Sequence, residues 1–118
     1  MTPEQLQSIL SQHKQWVESA GKKGQCADLR GAKLSRANLS GANLSRANLS
    51  GAYLSHVNLT GADLFHASLF GANLSYANLS GADLFHDSLS SADLTDADIT
   101  RANLSGANLI GAYLSGAN

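Results

Sequence analysis

Ala37-Asn38-Leu39-Ser40-Gly41 is followed without a gap by Ala42-Asn43-Leu44-Ser45-Arg46, Ala47-Asn48-Leu49-Ser50-Gly51 and Ala52-Tyr53-Leu54-Ser55-His56. From Leu29 to Leu114 every fifth residue is Leu, Ile99 excepted, which makes eighteen consecutive hits. Two residues before each stands Ala, with exceptions only at Val57 and Asp87. A period of five excludes a simple helix, because five residues turn about 500° and successive Leu would spiral around the axis. It excludes a flat strand as well, since an odd period sends alternate Leu to opposite faces. A short extended piece followed by a corner satisfies it: Ala and Leu, two apart, point the same way. If four such sides close a ring, one coil takes about twenty residues and every Leu points inward.

The fifth residue adds a second period. Gly31, Gly41, Gly51, Gly61, Gly71 and Gly81 alternate with Arg36, Arg46, His56, His66, Tyr76 and His86. Gly is third in each Leu-Ser-Gly-Ala corner, where a type II turn needs positive φ. Arg, His and Tyr resist that conformation, so their corners are expected to use a different turn. Gly61-Ala62-Asp63-Leu64-Phe65-His66 returns as Gly81-Ala82-Asp83-Leu84-Phe85-His86, twenty residues on. These pieces are expected to stack directly.

The unit resembles that of the pentapeptide repeat family, over residues 27–118. The resemblance implies an all-β solenoid, a right-handed quadrilateral β-helix with Leu and Ala in its core. Eighteen units correspond to about 4.5 coils, roughly 22 Å tall at about 4.8 Å per coil. It also implies a range of roles, because a fold does not fix a function; the family includes gyrase-binding DNA mimics.

Composition follows from the repeat. Leu, Ala, Ser, Gly and Asn supply 73 of the 118 residues. Charged residues are 14%, and the net charge of −1 argues against direct nucleic-acid binding, which needs a basic footprint. A hydrophobic content of 43% argues against disorder. No apolar run reaches the ~18 residues of a membrane span. The single cysteine, Cys26, excludes an internal disulfide. No secretory signal is seen, so the expected location is the cytoplasm.

Residues 1–26 read differently, as a capping helix and linker. Thr2, Pro3 and Gln5 form a helix start with a capping box. Leu6, Ile9, Leu10, His13, Trp16, Val17 and Ala20 recur on one helical face, and Gly21 is the expected stop. The helix is expected to be a lid on the first coil. Trp16 is its expected anchor, and Cys26 is expected to be a quiet thiol.

Counting in twenties assigns the outside. Asn38, Asn58, Asn78, Asp98 and Asn118, with Ser40, Thr60, Ser80 and Thr100, form a flat amide and hydroxyl ladder expected to support the stack. Ice binding would need a face richer in Thr. A more varied ladder holds Lys33, Tyr53, Asn73, Asp93 and Tyr113, with Arg36, His56, Tyr76 and Asp96 at its corner. Tyr and Arg are common interface anchors, so Lys33, Arg36, Tyr53, His56, Tyr76, Asp93 and Asp96 are the expected partner face. A third ladder carries Asp63, Asp83, His66 and His86. Asp63 and His66 are roughly 10 Å apart along extended chain, too far to share a metal ion. Phe65, Phe70 and Phe85 are expected to look outward as a modest apolar patch.

Asp87 breaks the pattern most sharply, because its slot points into the core and a buried unpaired carboxylate is costly. Either Ser88, Ser90 or Ser91 hydrogen-bonds it or the coil bulges there. A filled Leu core offers no catalytic pocket, and no nucleophile, base and orienter come together. Neither an enzyme nor a cofactor is expected. The expected function is a structural or protein-interaction scaffold. The alternative is a DNA mimic that binds a type II topoisomerase such as gyrase, drawing on six Asp without Lys or Arg in residues 63–98. The chain stops within a repeat at Ala117-Asn118. Leu104, Leu109, Ile110, Tyr113 and Leu114 are therefore the expected contact of an end-to-end homodimer.

Overall fold

The computed structural model describes residues 1–118. Helix α1 spans Pro3–Glu18, and after it the chain turns a corner every five residues. Fourteen parallel bridges join the outward residues, from Asp28 with Asn48 to Asp93 with Tyr113. Each bridge spans twenty residues, so one circuit of the chain has four sides. In the first circuit these are residues 27–31, 32–36, 37–41 and 42–46, and they are called the first to fourth sides below.

The backbone shows why five residues suffice for a side. Leu34 N–H donates to Tyr53 O at 2.8 Å in the next circuit, and Tyr53 N–H donates back to Ala32 O at 2.9 Å. Between them the Ala37 N–H closes the corner on Leu34 O at 3.0 Å. The inward Ala and Leu side chains fill the middle. Twelve Leu, from Leu29 to Leu94, are fully buried, and Ala and Val57 pack between them.

All the corners are alike, contrary to the sequence expectation. Arg36, Arg46, His56, His66, Tyr76 and His86 have φ between 56° and 66°, as left-handed as the glycines they alternate with. Such a conformation costs a non-glycine residue about 1–2 kcal/mol. The hydrogen bonding explains its persistence, because each corner N–H, such as Arg36 to Ser55 O at 2.9 Å, belongs to the ladder between circuits. A different turn would orphan that donor in every circuit.

Helix α1 begins as the sequence implies. Thr2 Oγ1 accepts from Gln5 N–H, and Gln5 Oε1 accepts from Thr2 N–H. Its end differs from the expectation. Ala20 takes a left-handed position at φ 55°, ahead of Gly21 at φ 85°, and is exposed, so it leaves the inward face. Gly21 N–H reaches back to Trp16 O and Ala20 N–H to Val17 O, a Schellman closure. Leu6, Ile9 and Leu10 pack against the Leu core at the first circuit. Gly24 matters more than the linker reading suggested: a Cβ there would strike Gln12 O and the Gln15 side chain.

His13 fastens the helix to the repeat. It is fully buried, and its Nδ1 accepts from Ala27 N–H at 2.9 Å. Burial lowers its pKa below 6.5, while the Ser45 backbone and the Asp63 charge pull the other way. The neutral ring is therefore the folded form. Protonation of Nδ1 would remove its acceptor and orphan the buried Ala27 N–H. This contribution to stability is complete above pH 6.5 and is lost as the pH falls toward the lowered value. His13→Ala is expected to cost about 2–4 kcal/mol in a denaturant titration at pH 7.5. An unchanged midpoint would show that α1 is held elsewhere.

Candidate interaction surface

The outward side chains sort by whether their polar atoms are already occupied. Along the third side, Asn38 Oδ1 accepts from Ser40 N–H and Oγ–H, and Asn58 does the same with Thr60. Asp98 accepts from the Thr100 hydroxyl at 2.7 Å and from its N–H, and these bonds hold its carboxyl below the usual range. The amide ladder is thus a row of local caps. Each ties a side chain to its own corner, whereas the stack is carried by backbone bonds.

On the second side that arrangement is broken. Lys33, Tyr53 and Tyr113 occupy the Asn position and cannot accept the corner N–H, so their side chains project freely. Tyr53 is 53% exposed and Tyr113 66%. Asn73 and Asp93 keep the local cap, with Ser75 and Thr95. Bridges join Lys33, Tyr53, Asn73, Asp93 and Tyr113 in one ladder, as the count in twenties implied. At its corner His56 and Tyr76 stack with centroids 4.9 Å apart and planes 4° apart. Charge is segregated along this side. Lys33 and Arg36 lie in the first circuit, Asp93 and Asp96 in the fourth. The ion pairs of the chain lie elsewhere, Lys14 with Glu18 and Arg30 with Asp28.

The fourth side ends in aromatic columns. Arg46 lies 5.7 Å over the Phe65 ring, and Phe65 stacks on Phe85 at 5.4 Å. His66 stacks on His86 at 5.1 Å. Only Phe70 of the three phenylalanines is fully outward; Phe65 and Phe85 are half-buried in their own stack. No three His, Cys, Asp or Glu side chains gather closely enough to hold a metal ion. Cys26 Sγ contacts Arg46 O at 3.3 Å, and burial pushes its thiol up, away from the reactive thiolate.

Asp87 is neither capped by a serine nor in a bulge. It is 1% exposed, and Oδ1 accepts from Ala67 N–H at 2.9 Å in the circuit before. Around it the ladder is unbroken, with Ser88 N–H donating to Ala67 O and Asn108 N–H to Asp87 O. Oδ2 has no partner. Burial, first, and the Asp83 and Asp63 charges push its pKa up to about 8, against the Ala67 hydrogen bond. A protonated Asp87 adds nothing to an acidic surface. The other acids of residues 63–98 are divided: Asp63 and Asp83 on the fourth side, Asp93 and Asp96 on the second, Asp98 on the third. The acidic stretch in the sequence is not one patch in space.

At the last circuit the ladder is open. The N–H groups of Leu104, Leu109 and Leu114 have no backbone partner. Ile110 is 77% exposed, and Leu114 is exposed where its counterparts Leu54, Leu74 and Leu94 are buried. No helix is long and apolar enough to cross a membrane.

This geometry is that of known proteins. Pentapeptide repeats, in eight copies, match residues 25–61, 47–84 and 88–118. The chain belongs to the pentapeptide repeat family. A pentapeptide repeat protein of the Arabidopsis thaliana thylakoid lumen is 33% identical, with a TM-score of 0.51 over 75% of this chain and 66% of its own. Rfr23 of the cyanobacterium Cyanothece 51142 is 37% identical, with a TM-score of 0.51 over 83% and 65%. The chain thus spans just under two thirds of the length of each. QnrB1, a plasmid-mediated fluoroquinolone resistance protein, is 20% identical with a TM-score of 0.38 over 73% and 64%. None of the curated proteins matches this chain. The fold is a right-handed β-helix.

Proposed function

We propose that this chain is a non-enzymatic protein-interaction scaffold whose second side is the binding surface. In this reading residues 27–118 form a quadrilateral β-helix of about 4.5 coils, and α1 is its N-terminal cap. The observation that carries it is the free Lys33, Tyr53 and Tyr113 on a rigid ladder whose other outward positions are occupied by local caps. Aromatic and basic anchors on a preorganised surface bind without paying for loop ordering. Capture of proteins from native lysate tests it. Tyr53→Ala with Tyr76→Ala is expected to abolish capture, and Asn58→Ala on the third side to leave it intact. Equal capture by both variants would place the binding surface elsewhere.

The alternative is a DNA mimic acting on a type II topoisomerase such as gyrase. A mimic needs one long acidic surface, and the acids here are spread over three sides. A gyrase supercoiling assay separates the readings. No inhibition is expected at high micromolar protein, and inhibition there would replace the scaffold reading.

An end-to-end homodimer through residues 99–118 belongs to the same proposal, supported by the exposed Ile110 and Leu114. Leu104, Leu109, Ile110, Tyr113 and Leu114 would meet their counterparts across a two-fold axis, with α1 outermost. Ile110→Lys with Leu114→Lys is expected to halve the mass measured by light scattering. A mass insensitive to both substitutions would reject this contact.

A further inference from the structure

We propose that the second side is also a self-recognition surface, on which two copies of this chain pair face to face with their axes antiparallel. The proposal rests on the reading of that side as the interaction surface and names its partner. The pattern that carries it is self-complementary charge. Consider a two-fold axis lying in the contact plane, across the sides, between the second and third circuits. It exchanges the first circuit with the fourth and the second with the third, and it keeps each column facing itself. Lys33 of one copy then faces Asp93 of the other, and Arg36 faces Asp96. Both pairs recur at the opposite end by symmetry. The His56 and Tyr76 stacks meet in the middle. An axis parallel to the solenoid would instead set Lys33 against Lys33 and Asp93 against Asp93, which like charge disfavours.

The same operation reaches beyond the fourth circuit. Tyr113 lies one circuit further, so it falls at the level of α1 in the other copy. There a groove is lined by Met1, Gln5, Ile9, Gly31, Ala32 and Lys33. An exposed tyrosine at one end of the side thus meets a groove at the other end. The basic and acidic ends are three circuits apart, about 14 Å. That exceeds the ~8 Å Debye length at physiological salt, so the charges of one copy do not neutralise each other and remain available. A contact of this width buries less than the ~1,200 Å² of a standard interface. The pair is accordingly weak and salt-sensitive. Tyr113 apart, it uses a surface distinct from the open edge, so an end-paired dimer still leaves residues 33–96 of both second sides free.

Sedimentation equilibrium at low salt tests it in the Ile110→Lys background, which disfavours end pairing and adds no charge to the second side. This chain is expected to form dimers that dissociate in high salt. Lys33→Glu with Arg36→Glu makes the side wholly acidic, and Asp93→Lys with Asp96→Lys makes it wholly basic. Each is expected to weaken self-association about tenfold or more. An equimolar mixture of the two is expected to recover the dimer, since the axis then pairs acidic with basic at both ends. Asp96→Lys alone, which leaves the Asp93 cap intact, is expected to weaken pairing in the same direction. Circular dichroism confirms that each variant is folded. A monomeric background chain, a mixture that stays monomeric, or reversals that leave the mass unchanged would each overturn self-recognition. Failure here with lysate capture still lost in the tyrosine variant would leave the scaffold reading standing. Mixture-restored dimers without lysate capture would do the reverse.

Discussion

Asp87→Ala is expected to raise the melting temperature by roughly 10–20 °C at pH 7, an unusually large gain for one substitution. The folded protein holds this carboxyl protonated up to about pH 8, against a reference near 3.8. Its folded-state pKa is raised, so its stability contribution is complete below about pH 4 and is lost as the pH rises toward 8. The loss is on the order of 5 kcal/mol at the alkaline end. Alanine is the residue of the repeat in this slot, flanked by Ala67 and Ala107 in the adjacent circuits. Ala67 N–H keeps its corner bond to Leu64 O, so no donor is orphaned. Thermal melts from pH 4 to pH 9 check this. The wild type should lose stability with rising pH while the variant should not. Below pH 6.5 the variant should instead weaken as the pH falls, because the His13 contribution has the opposite sign. Parallel pH profiles for the two proteins would show that Asp87 is not buried as described.

The second large effect is at the core. Leu74→Asp is expected to unfold the chain at 25 °C. Leu74 is fully buried between Leu54 and Leu94, and an unpaired charge there costs more than the ~5–15 kcal/mol that holds a domain of this size together. Ser75→Ala, one residue away, removes only a hydroxyl bonded to Asn73 Oδ1 and is expected to cost about 1 kcal/mol or less. Circular dichroism melts of the two variants read the difference. Similar melting temperatures would overturn the assignment of Leu to the inside and Ser to the outside.

Much of this architecture was legible in the sequence because a strict period leaves few geometries. Leu at every fifth position fixed which side chains face inward, and the return of Gly61–His66 at Gly81–His86 fixed which residues stack. The helix start was legible for a local reason, since Thr2, Pro3 and Gln5 complete a capping box by themselves. What stayed hidden depended on bonds between circuits. Arg36 and His56 disfavour a left-handed corner by intrinsic preference, and only the ladder bond of each corner N–H to the next circuit overrides it. Ala20 took a left-handed conformation ahead of Gly21, because the Schellman bonds to Trp16 and Val17 count from the helix and so extend the closure to the residue before the glycine. Asp87 was recognisable as an anomaly, yet its partner, Ala67 N–H, lies twenty residues away where no local pattern points. The proposed partner face was singled out by its variety. Its physical basis, the loss of the Asn cap at Lys33, Tyr53 and Tyr113, became visible only once the caps of the other sides were seen.

Whether the second side is the working surface is tested most directly by the backbone amide shifts of the end-blocked chain, followed from micromolar to millimolar concentration. Self-recognition through this side predicts concentration-dependent shifts at residues 33–36, 53–56, 73–76 and 93–96, together with Tyr113 and the groove beside Met1, all suppressed by high salt. Shifts confined to the third or fourth side, or no shifts across the whole range, would contradict it.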